Sequence, residues 1–238
     1  MIDQEKKILF IHIPKAGGSS IESMLLGSDD VGSHRDLDSV VLSSPKLKPF
    51  FPLGRHGTLR QYEAYCDQNG IDLKDFRIFS IIRNPTDLLR SFYKFRLKHF
   101  QMARHLKTFL QRVRFHLAHL TFPVFLACQL IKEAFYRLLG KASDGSLSRF
   151  VQSESGLKVQ IFRLEDISRD ISDLSSFLSL PPGIHLRKMN ATVGSNTLNS
   201  ILLKLAARSC YEEISEFYHL SATNLKHDAV HGVPARKS

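Results

Sequence analysis

The sequence predicts an α/β domain with a mainly parallel central sheet. Two observations carry most of this. The runs at 7–13 ("KILFIHI") and 76–82 ("FRIFSII") are continuously apolar, as in strands covered on both faces. Each ends in a proline-containing turn, at Pro14 and Pro85, and leads into a segment with helical spacing. In such sheets the ligand lies beyond the carboxyl ends of the strands, and both turns fall at that edge.

The elements follow in order. After the first strand, a helix is expected from Ser19 or Ser20. Residues 28–55, rich in Ser, Asp, Gly and Pro, read as a surface excursion. In "GRHGTLRQYEAYCDQNG" (54–70), Thr58 is placed as an N-cap, Leu59, Tyr62 and Tyr65 as the apolar face, and Gly70 as the stop. The second strand leads through Arg83-Asn84-Pro85 into a helix marked by Leu88, Leu89, Phe92 and Phe95. A third strand is expected at 158–162. Beyond it Ile167, Ile171, Leu174 and Leu178 mark one helix face that Pro181 and Pro182 stop. A long helix over 197–220 and a mobile basic tail at about 226–238 complete the chain.

The 238 residues, 43% of them hydrophobic, suit one domain with a buried core, so a single domain over 1–238 is expected. The formal charge of +10 calls for an anionic partner without choosing among nucleotide, acidic glycan, nucleic acid and phospholipid. Much of it is local: residues 94–141 hold ten Lys or Arg against one acid, Glu133. This basic helical insertion, with Leu106, Phe109, Leu110, Val113, Leu117 and Leu120 at helical spacing and Pro123 placed to kink it, reads as packed helices with solvated basic faces. It could also shape an acidic or glycan acceptor site, or lie on an anionic membrane surface. Cys66, Cys128 and Cys210 show no pairing or metal spacing and read as reduced thiols, which with no export segment points to the cytoplasm, peripheral to the inner face of a membrane if the basic helices dock there.

The loop "HIPKAGGSS" (12–20) carries the first chemistry. Gly17 and Gly18 let the backbone approach a ligand, amides point outward at a helix N-terminus, and Ser19 and Ser20 add hydroxyls, which together make a nest for phosphate. A nucleoside triphosphatase would place its lysine after the glycines. Here Lys15 precedes them, and no acidic residue ends either of the first two strands to hold a metal, so triphosphate chemistry is disfavoured. A Gly-Gly turn after a strand also occurs without any ligand, and an Arg-Asn-Pro turn is ordinary loop chemistry by itself. His56 alone reads equally as a solvated loop residue, and His12 as a hydrogen-bonded structural one.

The loop resembles the Pro-Lys-Thr-Gly-Gly-Thr-Ser loop of the sulfotransferase superfamily, in particular the glycan sulfotransferases related to heparan sulfate 2-O-sulfotransferase and their bacterial relatives. "RNPTDLLRSFY" (83–93) is similar to that family's 3′-phosphate motif, in which a serine follows the arginine by eight residues. The resemblance implies a P-loop-kinase-like three-layer α/β fold, no metal, and 3′-phosphoadenosine 5′-phosphosulfate (PAPS) as sulfuryl donor. Donor contacts are implied for the backbone of Ala16, Gly17 and Gly18, for the hydroxyls of Ser19 and Ser20, and for Arg83 and Ser91. Lys15 would attend the bridging oxygen of the leaving group. "RHGTLRQY" resembles the segment that carries the catalytic base, implying His56, and "LRKMNAT" (186–192) falls where relatives have a cofactor loop, implying Lys188 and Asn190. Two departures stand out: Ala16 replaces the usual threonine, and Leu88 stands where relatives often carry arginine, with Arg90 on a different helix face.

The function expected is therefore sulfuryl transfer from PAPS to a hydroxyl of a carbohydrate or glycolipid acceptor, with no nucleic-acid partner. The alternatives are an ATP-dependent P-loop kinase and a non-catalytic member of the fold that binds membrane or polyanion through the basic helices.

Overall fold

The computed structural model describes residues 1–27, 44–102, 122–139, 146–181 and 200–223. They fall into two compact units: one takes the described residues of 1–83, 148–181 and 221–223, the other those of 84–147 and 200–220.

The first unit is built on a four-stranded sheet in the order β1 (Ile2–Asp3), β2 (Ile8–Ile11), β3 (Arg77–Ile82), β4 (Gln160–Arg163). β2, β3 and β4 are parallel, with Phe10 opposite Phe79 and Ser80 opposite Ile161. The mainly parallel sheet is as the apolar runs predict, since every residue of β2 and all of β3 after Arg77 are buried. The one polar residue inside β3, Ser80, donates its hydroxyl to the Ile11 carbonyl at 2.7 Å and so costs nothing by being buried. The two-residue β1 pairs antiparallel with β2 at the edge and was too short to leave a periodic signal. β2 is also shorter than its apolar run: His12 and Ile13 stay buried but leave the sheet.

Helices flank this sheet. α1 (Gly18–Leu25) follows β2 and packs Ile21 and Leu25 against Phe10, Phe79 and Phe162. After a 3-10 turn at Lys48–Phe50, α2 (Leu59–Gln68) starts at a capping box. The Gln61 amide donates to Thr58 Oγ1 at 3.3 Å, and the Thr58 amide to Gln61 Oε1 at 2.9 Å. Gly70 ends it with φ of 67°, as expected of a C-terminal glycine. α5 (Leu147–Val151) opens the return to β4. The single helix expected after β4 is in fact two, α6 (Leu164–Ile167) and α7 (Ser172–Leu178). Asp170 accepts the Ser172 amide at 2.8 Å, a local bond that competes with helix continuation and starts a new one. Ile167, Leu174 and Leu178 are nonetheless all buried, because the core, rather than a continuous helix, aligns them.

The second unit comprises α3 (Pro85–Met102), α4 (Phe122–Leu138), α8 (Ser200–Cys210) and α9 (Glu212–Thr223), the last running past its edge. Pro85 opens α3, where its missing N–H is no loss, and Asn84 accepts from the Thr86 amide at 3.0 Å. Leu89, Phe125, Leu126, Leu203, Ala206 and Ala207 form its core. Pro123 lies in the first turn of α4. The final helix expected over 197–220 is broken at Tyr211, beyond which Glu212 and Glu213 place two carboxylates in the first turn of α9. Leu106 to Leu120 of the basic insertion, the first three residues of that final helix and the tail lie outside the described residues.

Candidate active site

The loop between β2 and α1 is held by packing as much as by hydrogen bonds. Lys15 has φ of 69° and Gly17 φ of 91°. A left-handed lysine costs about 1–2 kcal/mol, so the surrounding loop must hold it there. A Cβ on Gly17 would lie 2.7 Å from Leu164 Cδ1, and one on Gly18 would lie 2.2 Å from the His12 ring. The glycines therefore also make room for neighbours. Gly18→Ala is expected to lower stability by about 1–3 kcal/mol in chemical denaturation, because the His12 ring is buried and cannot swing clear.

The Ala16 amide turns to the Ile13 carbonyl at 3.3 Å and the Ser20 amide to the Gly17 carbonyl at 3.0 Å. The amides of Gly18 and Ser19, at the start of α1, have no acceptor within the helix, which is the condition for binding an anion. The Ala16 methyl is buried, and Ser20 is buried in the first turn of α1.

Behind the loop lies a charged network that sequence reasoning missed. Glu22 of α1 is fully buried and accepts from His12 Nδ1 at 2.7 Å. Its other oxygen accepts from Arg55 Nε at 2.9 Å and more closely from Arg55 Nη2, which also donates to Ser19 Oγ at 2.7 Å. Burial pushes the Glu22 carboxyl up, but His12 and Arg55 outweigh it and hold it at about 2. Arg55 thus ties the phosphate-loop hydroxyl of Ser19 to the segment that carries His56. The available signals were an acid between the core residues Ile21 and Leu25 and an arginine directly before the histidine in "GRHG".

His56 is exposed, with one ring edge turned inward. Its Nδ1 lies 3.3 Å from the His12 carbonyl, and the two imidazoles meet edge-on at 4.5 Å between centroids. A carbonyl only accepts, so Nδ1 carries the proton and Nε2 holds the lone pair of the neutral ring. Desolvation, followed by the charges on His12 and Arg55, lowers the His56 pKa from 6.5 to about 4. Its neutral form is therefore the one present at pH 5–6. The acid limb of kcat/KM is expected near pH 4, and a limb near 6.5 would remove His56 from the role of base. The same sign applies to stability: the contribution of a neutral His56 is lost as pH falls from 6.5 towards 4.

Lys15, Ala16, Gly17, Gly18, Ser19, Ser20 and His56 thus belong to the first unit, in the loop and in the segment that Arg55 joins to it. Arg83 closes the same unit just after β3, whereas Ser91 lies on α3 in the second. Leu88 is buried, and Arg90 pairs with Asp87 at 3.3 Å. Glu165 and Asp166 stand in the first turn of α6, where Asp166 pairs with Arg163 at 2.8 Å and Arg169 at 2.7 Å. Lys188 and Asn190 lie outside the described residues. Among the described residues no cluster of three or more His, Cys, Asp or Glu is arranged to hold a metal ion.

The model of the sulfotransferase family matches residues 1–151, from β1 through α5, including the loop, the Arg55-His56 pair, Arg83 and Ser91. The chain belongs to the sulfotransferase family. No curated protein and no solved structure matches it. This sulfotransferase is accordingly an enzyme that depends, by family, on PAPS, and the family implies a P-loop-like fold for its parallel sheet.

Proposed function

We propose that this sulfotransferase transfers the sulfuryl group of PAPS to a hydroxyl of a carbohydrate or lipid-linked sugar. The observation that carries the reading is His56. It is a neutral imidazole with Nε2 as its acceptor nitrogen, and Arg55, the residue before it, hydrogen-bonds to the phosphate loop. A sugar hydroxyl is a weak acid and attacks sulfur only as its proton leaves, so a positioned base is worth most with such an acceptor.

PAPS supplies an activated sulfuryl group on a phosphate leaving group, and the residues present fit it. The Gly18 and Ser19 amides, in the first turn of α1, have no acceptor within the helix, and Lys15 stands in the left-handed turn ahead of them. In the proposed step His56 Nε2 takes the acceptor proton as the acceptor oxygen bonds to sulfur. Lys15 and the loop amides stabilise the electron pair that the breaking sulfur–oxygen bond leaves on the phosphate. The roles of Arg83 and of Ser91 towards the 3′-phosphate, and of Lys188 and Asn190 towards the nucleotide, are carried over from the family resemblance. The free cysteines Cys66, Cys128 and Cys210 support a proposed cytoplasmic setting, where thiols stay reduced.

The test is transfer of labelled sulfate from PAPS to a panel of glycans, lipid-linked sugars and phenols. Label on sugars and not on phenols is the expected result. Label on phenols alone would overturn the acceptor class while leaving the enzyme a sulfotransferase.

A further inference from the structure

α4 and α8 pack together in the second unit, with Arg137 Nη2 donating to the Ser209 carbonyl at 3.3 Å. Their inner faces form its core. Their outer faces leave large apolar side chains in solvent. On α4, Val124, Ile131, Phe135 and Leu138 recur at intervals of seven, four and three and so share one face. Ile131 is 70% exposed, Phe135 56% and Leu138 84%. On α8, Ile201 and Leu205 are 74% and 57% exposed. Single exposed leucines are ordinary, but a stripe along one helix with a second pair on its neighbour is not.

The charges beside these side chains decide what covers them. Neither helix presents an acid to solvent: the only one in either sequence, Glu133 of α4, is buried. Lys132 lies over the Tyr136 ring at 5.0 Å, and Lys204 and Arg208 of α8 are exposed between and beyond Ile201 and Leu205. Arg137 is paired with Glu212 of α9 at 3.0 Å, but a second copy of this chain would bring Lys132, Lys204 and Arg208 up against their own counterparts, so like charges would oppose a symmetric interface. An anionic phospholipid surface meets both features, with apolar side chains entering the acyl boundary while Lys and Arg stems extend to the phosphates. No helix among the described residues is long and apolar enough to cross a bilayer, so the contact is one of lying on the surface.

We propose that the outer faces of α4 and α8 form an interfacial docking surface for an anionic phospholipid membrane. This is independent of the acceptor and of the donor site. The test is co-sedimentation of the full chain with phosphatidylcholine vesicles, with and without phosphatidylglycerol. Binding is expected only with the anionic lipid, weakening as salt is raised. The combined variant Ile131→Ser, Phe135→Ser, Leu138→Ser is expected to bind roughly tenfold or more weakly, with its melting temperature kept because these side chains lie outside the core. Should that variant melt early, Ile201→Ser with Leu205→Ser gives the same reading from the other helix. The proposal is overturned if the wild type ignores anionic vesicles, or if well-folded variants bind as it does. It is overturned equally if the wild type is a dimer that these substitutions convert to monomer, which would make a second copy the occupant.

Discussion

Lys15→Ala is expected to lower sulfuryl transfer by about 10²–10³-fold, with the larger part of the loss in kcat. The lysine stands ahead of the glycines in a left-handed turn, φ 69°, in a loop closed by the Ala16 amide on the Ile13 carbonyl and the Ser20 amide on the Gly17 carbonyl. Removing it leaves the Gly18 and Ser19 amides to bind the donor. It takes away the charge that meets the leaving oxygen, which matters most in the transition state. Thermal stabilisation by the bisphosphate product should therefore survive in part while turnover collapses. His56→Ala is the partner measurement, with an expected loss of about 10²–10⁴-fold and the acid limb of the pH profile abolished. If both variants turn over at the wild-type rate, the proposed roles fail, although the chain stays a sulfotransferase.

Glu22→Gln is expected to be the most destabilising conservative change in the site, by about 3–5 kcal/mol and a fall of roughly 10 °C in Tm. The carboxylate is fully buried between His12 and Arg55, itself nearly buried, so removing its charge leaves the Arg55 guanidinium uncompensated and the His12 ring without its anionic partner. The pH dependence has a definite sign. The Glu22 carboxyl is held at about 2 against an ordinary 4.5, so the stability it confers is present above pH 4.5 and is lost as pH falls towards 2. The gap between wild type and variant should close over that window. A gap that persists unchanged to pH 2 would mean that the glutamine acts through shape rather than charge. Arg55→Ala should be comparably harmful to folding, and at permissive temperature should also impair transfer, since Arg55 holds Ser19 Oγ and directly precedes His56.

Parts of the fold were legible because their cause is local. The β2 and β3 runs are apolar over their whole length, the Thr58 cap is a residue type at a fixed spacing from Gln61, and Pro85 opens a helix that its own ring geometry favours. The helices after β4 and at the chain's end were read as continuous because the apolar period runs on across the break. At Asp170 a side chain bonding to the Ser172 amide outweighs that period. β1 gave no warning, being two residues long with a pairing that depends on β2.

Of the site, "PKAGGSS" shows its phosphate nest in residue type and spacing, whereas the Arg83-to-Ser91 motif and His56 take their roles from the family resemblance. The spacing also suggests why Gly17 and Gly18 are glycine, but only the folded chain shows that Leu164 and the His12 ring occupy the space a Cβ would take. Likewise the sequence shows a histidine beside an arginine, and only the fold shows Arg55 reaching Glu22, 33 residues away, while the His12 carbonyl selects the proton position on His56. A buried charge must find its counter-charge wherever the packed elements bring one. That pairing is set by tertiary contact and leaves no period in the sequence.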